Sequence, residues 1–438
     1  MADLVRLGEK ILVIMGLMYM AGSFDKLLPG ALSSLIQYGV YGVAILLLLA
    51  RWQRTVRTAL RDKFLWILLT IVICSFLWSD FPSDSLRSGI VAWQTACFSL
   101  YVASCYTLKQ QIRLMSWAMG IASVVAILYT LAMPGMGIHT YGEHAGAWRG
   151  LYAHKNSLSQ IAAYSAIVLL FLPATQRGWH RYLGWGLFGL AVALLLLSTS
   201  KTGLMVFLCS MTLFRLYKAV RWRNTNSILI LIIIILIFSA VVILLVGNAE
   251  AVLGALGRDL TLTGRTEIWG GAIGYIKQQP WLGYGRAGFW HPKSGKALAI
   301  GEELGANYAP PHSHNGFVDV SCDLGLIGLG FFVLSFITTF AKAYKQVRLT
   351  GKLEGIFPVM YISFFLLYNF TESSFLRHNS VLWATYMIVA LSAGKIAPKL
   401  PKKKLQLQQI QIPNLLLQSR TTNNISKEKN VETSNFSE

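Results

Sequence analysis

Apolar runs alternate with short polar connections along most of this chain. The runs lie near residues 11–29, 33–50, 64–79, 89–107, 112–132, 157–172, 182–199, 203–217, 227–247, 315–340, 355–370 and 379–394. A helix that crosses the hydrocarbon core needs roughly 20 such residues. The pattern therefore predicts an all-α fold: a polytopic transmembrane bundle of about twelve spans. The third run is short, and only Ser200-Lys201-Thr202 separates the seventh from the eighth. The first run carries no small-x-small cleavage site and reads as an uncleaved span. No internal repeat is visible.

Two longer polar segments interrupt the alternation, at 133–156 and 248–313. Within the second, 265–278 carries apolar residues at helical spacing. That predicts an amphipathic helix lying on the membrane surface. Pro280, Gly283-Tyr284-Gly285 and Pro310-Pro311 then break regularity. Beyond 394 the apolar character ends. Residues 395–438, rich in Gln, Asn, Ser and Lys, read as a disordered basic tail. Its lysines favour anionic lipid headgroups. The division is thus a membrane domain, 1–394, with one large loop at 248–313, and a tail.

Composition agrees with a membrane protein. The chain is 54% hydrophobic and 13% charged, with a mean hydropathy of +0.52; a soluble domain carries about 25% charged residues. A net charge of +20 would point a soluble protein towards nucleic acid. Here the basic residues crowd short connections instead: Arg51, Arg54, Arg57, Arg61 and Lys63, then Lys109/Arg113, Arg177/Arg181, Lys218/Arg221/Arg223 and Lys342/Lys345/Arg348/Lys352. Counting spans puts all of them, and Lys402–Lys404, on one side, the cytoplasm, with both termini. Membrane lipids are the expected partners, and nucleic acid is not. All five cysteines fall in apolar runs with no CxxC pair, so they read as small hydrophobes rather than zinc ligands or disulfides.

Basic residues on the other side are exceptions to that rule. They include Arg149, His154, Lys155, Lys201, Arg258, Arg265, Lys277, Arg286, His291, Lys293, Lys296, His312, His314, Arg377 and His378. Surplus guanidinium and imidazole beside a bilayer suits an anionic substrate such as a lipid-linked diphosphate. Bland readings stand beside this one. Arg265 reads equally as a helix-end charge, and Lys201 as a side chain snorkelling to the interface. Lys277, Lys293 and Lys296 read as solvated loop charges. Arg286, among the glycines of GYGRAGFW, is either aimed inward or incidental. His314 stands where the polar loop gives way to a helix. In a first helical turn the dipole favours a neutral ring, which suits a general base. Asn315 either bonds a sugar or caps that helix. Asp319 and Asp323, four apart on one face, are either functional intramembrane carboxylates or partners of neighbouring hydroxyls. Gly325, Gly328 and Gly330 read as a helix-packing face.

The motif His314-Asn315, nine residues and then GLIGLG resembles the signature of the O-antigen ligase and polysaccharide polymerase family. GRTEIWGGAIGYIKQQPWLGYGRAGFW is similar to that family's outer-loop motif, and GLYAHKNSLSQ to its entry into a middle span. LLLLSTSKTGL resembles its S-R-G/T turn, with Lys201 where arginine is usual. The resemblance runs in order from about 145 to 335. It implies glycan transfer from an undecaprenyl-diphosphate-linked oligosaccharide to a sugar hydroxyl, at the outer face of the bacterial cytoplasmic (inner) membrane. It also implies an inverting mechanism with no metal and no cofactor. His314 would be the general base, with Arg265 stabilising the leaving diphosphate. Lys201 would bind and stabilise the diphosphate with Arg265, and Arg286, Asn315, Arg149 and His154 are the further candidates for binding substrate. Lysine at 201 keeps the charge there but not the bidentate fork. An exopolysaccharide polymerase and a lipid A-core O-antigen ligase both fit. The rivals from other classes are a transporter or flippase of the same glycan and a non-catalytic scaffold.

Overall fold

The computed structural model describes residues 2–220, 265–305, 309–350 and 352–394. The ninth apolar run, Arg258 and the tail from 395 lie outside the described residues. Among the described residues the regular elements are helical, apart from one isolated bridge between Ile138 and Trp148. The elements are α1 Ala2–Met20, α2 Gly30–Ala50, α3 Trp52–Ala59, α4 Lys63–Cys74, α5 Pro82–Cys105, α6 Leu108–Ala132, α7 Lys155–Thr175, α8 Trp179–Leu197, α9 Lys201–Val220, α10 Arg265–Gln278, α11 Gly295–Glu303, α12 Gly316–Thr350, α13 Phe357–Asn369 and α14 Val381–Ser392. Every apolar run inside the described residues contains a helix, although the helix of the first run, 11–29, ends at Met20 and turns follow it. Five of them, α2, α6, α7, α8 and α12, are long and apolar enough to cross a membrane; α4, α13 and α14 are shorter apolar helices. Such lengths and composition are those of a multi-pass membrane protein. The short helix α3, in the basic connection after α2, was not evident from hydropathy because it is polar on most of its surface.

Local chemistry sets several boundaries. Thr107 and Gln110 form a reciprocal capping box at the start of α6. Asp62 caps α4 by accepting from the Leu65 N–H. Ser380 does the same for α14 through Trp383. Pro82 opens α5 and Pro358 lies in the first turn of α13, where a missing N–H costs nothing.

One large apolar core joins α1, α2, α4–α9 and α12–α14; Tyr361, Phe364, Phe365, Trp383 and Tyr386 form its aromatic centre. At one end of the bundle the basic connections are tied down. Arg51 pairs with Glu9, Lys342 donates to the Arg61 carbonyl, and Arg113 donates to the Thr175 carbonyl. At the opposite end lie the ends of α1, α8 and α13 and the starts of α7, α9, α12 and α14. Basic connections and candidate chemistry thus occupy opposite ends of the same helices.

The described part of the large loop builds a second, smaller core. Ile268 and Ala272 of α10 pack with Tyr284, Phe289, Trp290, Ala297, Ile300 and Cys322. The apolar face expected to lie on the membrane surface is therefore covered by protein.

Helix α12 is two helices merged at Gly325, whose φ of 63° and ψ of −168° break the spiral. The 280–284 turn inserts at that break. The Leu326 N–H donates to the Pro280 carbonyl (2.7 Å) and the Ile327 N–H to the Trp281 carbonyl (3.2 Å), while the Tyr284 N–H donates to the Cys322 carbonyl (2.9 Å). A Cβ on Gly325 would sit 2.3 Å from the Trp281 backbone, and one on Gly283 would sit 2.5 Å from the Cys322 oxygen. The two glycine motifs thus hold each other. Gly330 departs from the expected packing role: a Cβ there meets nothing within 4 Å.

Candidate active site

The chain enters α12 through Pro310-Pro311-His312-Ser313-His314-Asn315. His314 is not in the first helical turn, as expected from the sequence, but precedes it, with φ 57°. Asn315 caps the helix: its side-chain oxygen accepts from the Phe317 N–H (3.0 Å) and the Val318 N–H (3.4 Å). Of the two roles read for Asn315, the cap is thus filled. The His314 backbone N–H donates to His312 Nδ1 (3.1 Å). Its ring faces Glu372, with Nδ1 3.0 Å from the carboxylate. A carboxylate accepts only, so Nδ1 carries the hydrogen and the Nε2 lone pair is left for a proton.

Glu372 was not singled out from the sequence, yet it gathers the site. Arg265, the first residue of α10, reaches Glu372 at 3.4 Å and donates to the Thr371 carbonyl at 2.9 Å. Asn156, in the first turn of α7, donates to Glu372 (3.4 Å) and accepts from the Ser200 hydroxyl (3.2 Å). Ser200 immediately precedes Lys201, which begins α9 rather than lying inside a turn. Four segments far apart in sequence therefore meet at one carboxylate. Both Arg265 and Glu372 are largely withdrawn from solvent, their side chains 13% and 12% exposed.

Electrostatics follow the packing. Burial pushes the Glu372 carboxyl up, but the hydrogen bond and charge of His314 and the charge of Arg265 outweigh it, so it stays ionised below its ordinary range. Burial, then the neighbouring His314, pushes the His312 imidazole down to about 4. Burial, then His144 and Lys155, likewise lowers His154. His312, His314 and Glu372 each offer a ligand atom, all within 4.8 Å of one another, a set able to hold a metal ion. Here His312 Nδ1 and His314 Nδ1 are both already engaged in hydrogen bonds.

The other expected residues sit apart from Glu372. His154 caps α7, its Nδ1 accepting from the Asn156 N–H (3.2 Å), and its ring packs with those of His139 and His144. Arg149 holds its own loop together, donating to the Met136 carbonyl (2.9 Å). Arg286 pairs with Asp323 and donates to the Leu376 carbonyl (2.7 Å), while its backbone N–H donates to the Ser75 hydroxyl (2.9 Å). It fastens the large loop to α12 and to the last loop. Asp319 accepts from the Ser313 N–H (2.9 Å) and from the Ser373 hydroxyl. The bland reading of the two aspartates holds for Asp319, which ties the His314 segment to the Glu372 segment.

The sequence signal for Glu372 was a lone carboxylate in the short polar link between the last two apolar runs. Asn156 stood inside the quoted GLYAHKNSLSQ motif. Neither position alone shows what it faces.

Residues 186–333 match the family model described as O-antigen ligase. That segment contains Lys201, Arg265, Arg286, His314 and Asn315 but ends before Glu372. The chain is also 29% identical over 320 residues to the exopolysaccharide production protein ExoQ of Rhizobium meliloti (strain 1021), covering 70% of this chain and 71% of that one. With the motifs in register on this geometry, the chain is similar to the O-antigen ligase/polymerase-like proteins over these segments.

Proposed function

We propose that this protein is a membrane glycosyltransferase. It transfers or polymerises an undecaprenyl-diphosphate-linked oligosaccharide onto a sugar hydroxyl during exopolysaccharide or other surface-polysaccharide synthesis. The observation that carries the reading is the convergence of His314, Arg265 and the Asn156–Ser200 arm beside Lys201 on Glu372.

In this reading Glu372 fixes the His314 ring, and Nε2 takes the proton of the acceptor hydroxyl. That oxygen attacks the anomeric carbon from the side opposite the diphosphate, forming the new C–O bond with inversion. The bond to the diphosphate oxygen breaks, and undecaprenyl diphosphate leaves. Arg265 and Lys201 stabilise its developing charge, the largest kind of contribution such a site makes. Diphosphate is a good leaving group, so no acid or metal is needed. The likeness to an exopolysaccharide production protein favours a polymerase; the family model's description favours a ligase. A transporter of the same glycan gives no task to a carboxylate-oriented histidine at the bundle end.

The test is turnover by purified protein in detergent, with lipid-linked donor, acceptor and a chelator but no membrane gradient. His314→Ala and Arg265→Ala should each lose at least about 100-fold in rate, the lower range for a positioned base or an aimed donor. Wild-type rates from both variants would sink the mechanism. In a deletion strain, unpolymerised single repeats identify a polymerase, and full polymer left on its carrier identifies a ligase.

A further inference from the structure

The His314–Glu372 cluster leaves unexplained the large cavity beside it. That cavity holds about 950 Å³, near the top of the roughly 300–1,000 Å³ range of ligand sites. Its walls come from α2, the first half of α5, the 286–292 segment, the start of α12 and the 373–379 loop. One end reaches His312 and Ser373. The His312 ring lies 4.2 Å from that of His314, and Ser373 follows Glu372 in the chain. The cavity therefore reaches residues that adjoin the His314–Glu372 pair.

Its lining mixes apolar side chains with aromatic rings and charged groups. Tyr38 and Trp290 contribute rings, and Arg87 and Arg377 contribute guanidinium groups. Both arginines are exposed. Neither has a hydrogen bond or ion pair through its side chain among the described residues, whereas Arg286 on the same wall is paired with Asp323. A polyprenyl chain would leave these charges facing hydrocarbon. A diphosphate alone is far smaller than the space. A chain of sugars matches both features: its C–H faces pack on aromatic rings, and its hydroxyls bond the planar guanidinium fork.

We propose that this cavity is an oligosaccharide subsite that holds several sugars of a substrate glycan, with Arg87 and Arg377 as its anchors. The assignment rests on the glycosyltransferase reading of the adjacent centre. Strained backbone at both flanks of Arg377, with φ 51° at Leu376 and 46° at Asn379, fixes the loop that presents it. Asn379 is also held by the hydroxyls of Tyr41 (2.8 Å) and Tyr19 (3.0 Å). One anchor thus stands on a braced loop and the other on a helix, so the distance between them is set by the fold.

The experiment measures binding of one, two and three repeat units, released from the surface polysaccharide of the cells that make this protein, to the purified full chain. Affinity should rise with length and then level off. Arg87→Gln and Arg377→Gln should each weaken binding by about tenfold, the scale of one charge-assisted hydrogen bond. Length-independent binding, or unchanged binding by both arginine variants, overturns the proposal. Turnover kinetics then identify the glycan. A raised acceptor KM with unchanged donor KM assigns the acceptor chain, and the reverse assigns the donor's oligosaccharide. If neither moves, the subsite is refuted. Turnover by His314→Ala would instead sink the chemical mechanism and leave the binding result standing.

Discussion

His314 holds φ at 57° two residues before its helix, a backbone state that costs a non-glycine residue about 1–2 kcal/mol. Among the described residues, four other non-glycine residues with positive φ are Thr199, Ala287, Leu376 and Asn379. They stand beside Lys201, Arg286 and Arg377, and such strain persists only where surrounding contacts over-determine it. At this end of the bundle the backbone is bent so that side chains meet. Glu372 is the side chain that His314, Arg265 and Asn156 meet, and in the proposed reaction it acts through His314, as a positioning residue. Glu372→Gln keeps the shape but lets either tautomer of His314 form. Its kcat should fall about 100-fold, a share of what a positioned base contributes, with acceptor KM within about threefold. A loss carried mainly by acceptor KM would mean that Glu372 binds sugar instead. His312 adds a pH effect. Its ring is held down to about 4 by burial, so the unfolded chain takes up that proton first as pH falls below about 6.5. Stability should therefore decline between about pH 6.5 and 4 and the decline should shrink in His312→Asn, read as the unfolding midpoint against pH. An identical slope in the variant would assign the decline to other groups.

Among elements, the junction of the 280–284 turn with α12 sets the register of the site. The turn's carbonyls replace the helical partners of Leu326 and Ile327, so the upper part of α12 is free to take its own direction towards Ser313 and Glu372. Gly325→Ala would need a positive φ and would put a Cβ 2.3 Å from the Trp281 backbone. A loss of about 2 kcal/mol or more is expected, seen in denaturant unfolding of the purified protein. Gly330→Ala, with open space around it, should stay within about 0.5 kcal/mol of wild type. Equal effects from the two would mean that the glycines act alike, as a packing stripe, and not through the interlock. Spacing alone shows three small residues on one helix. It does not show that the first is a break and the third faces outward, because both depend on what packs there.

For the whole molecule, sidedness is the property that function requires, since a lipid-borne donor and the acceptor must reach the same end. Tyr141, 88% exposed in the 133–154 segment, and Leu60, 76% exposed after α3, lie towards opposite ends. In intact cells, with the native cysteines replaced, Tyr141→Cys should react with a membrane-impermeant maleimide. Leu60→Cys should react only after permeabilisation. The reverse pattern would invert the topology and place the candidate site in the cytoplasm. The longer apolar helices, the sharp polar breaks and the asymmetric basic connections were legible in the sequence, because apolar length and charge are local quantities that the bilayer reads directly. His314, Arg265 and Lys201 stood out in the sequence too, as basic residues away from the basic connections. What the sequence could not determine is which of those groups share a partner. Arg286 and Arg149 look equivalent to Arg265 along the chain, yet one is spent on Asp323 and the other on its own loop. Glu372 gains its role only because the links before α7, α9, α12 and α14 close on one point. Such proximity is a property of packed helices, settled by the shape of the core beneath, and no single segment carries it.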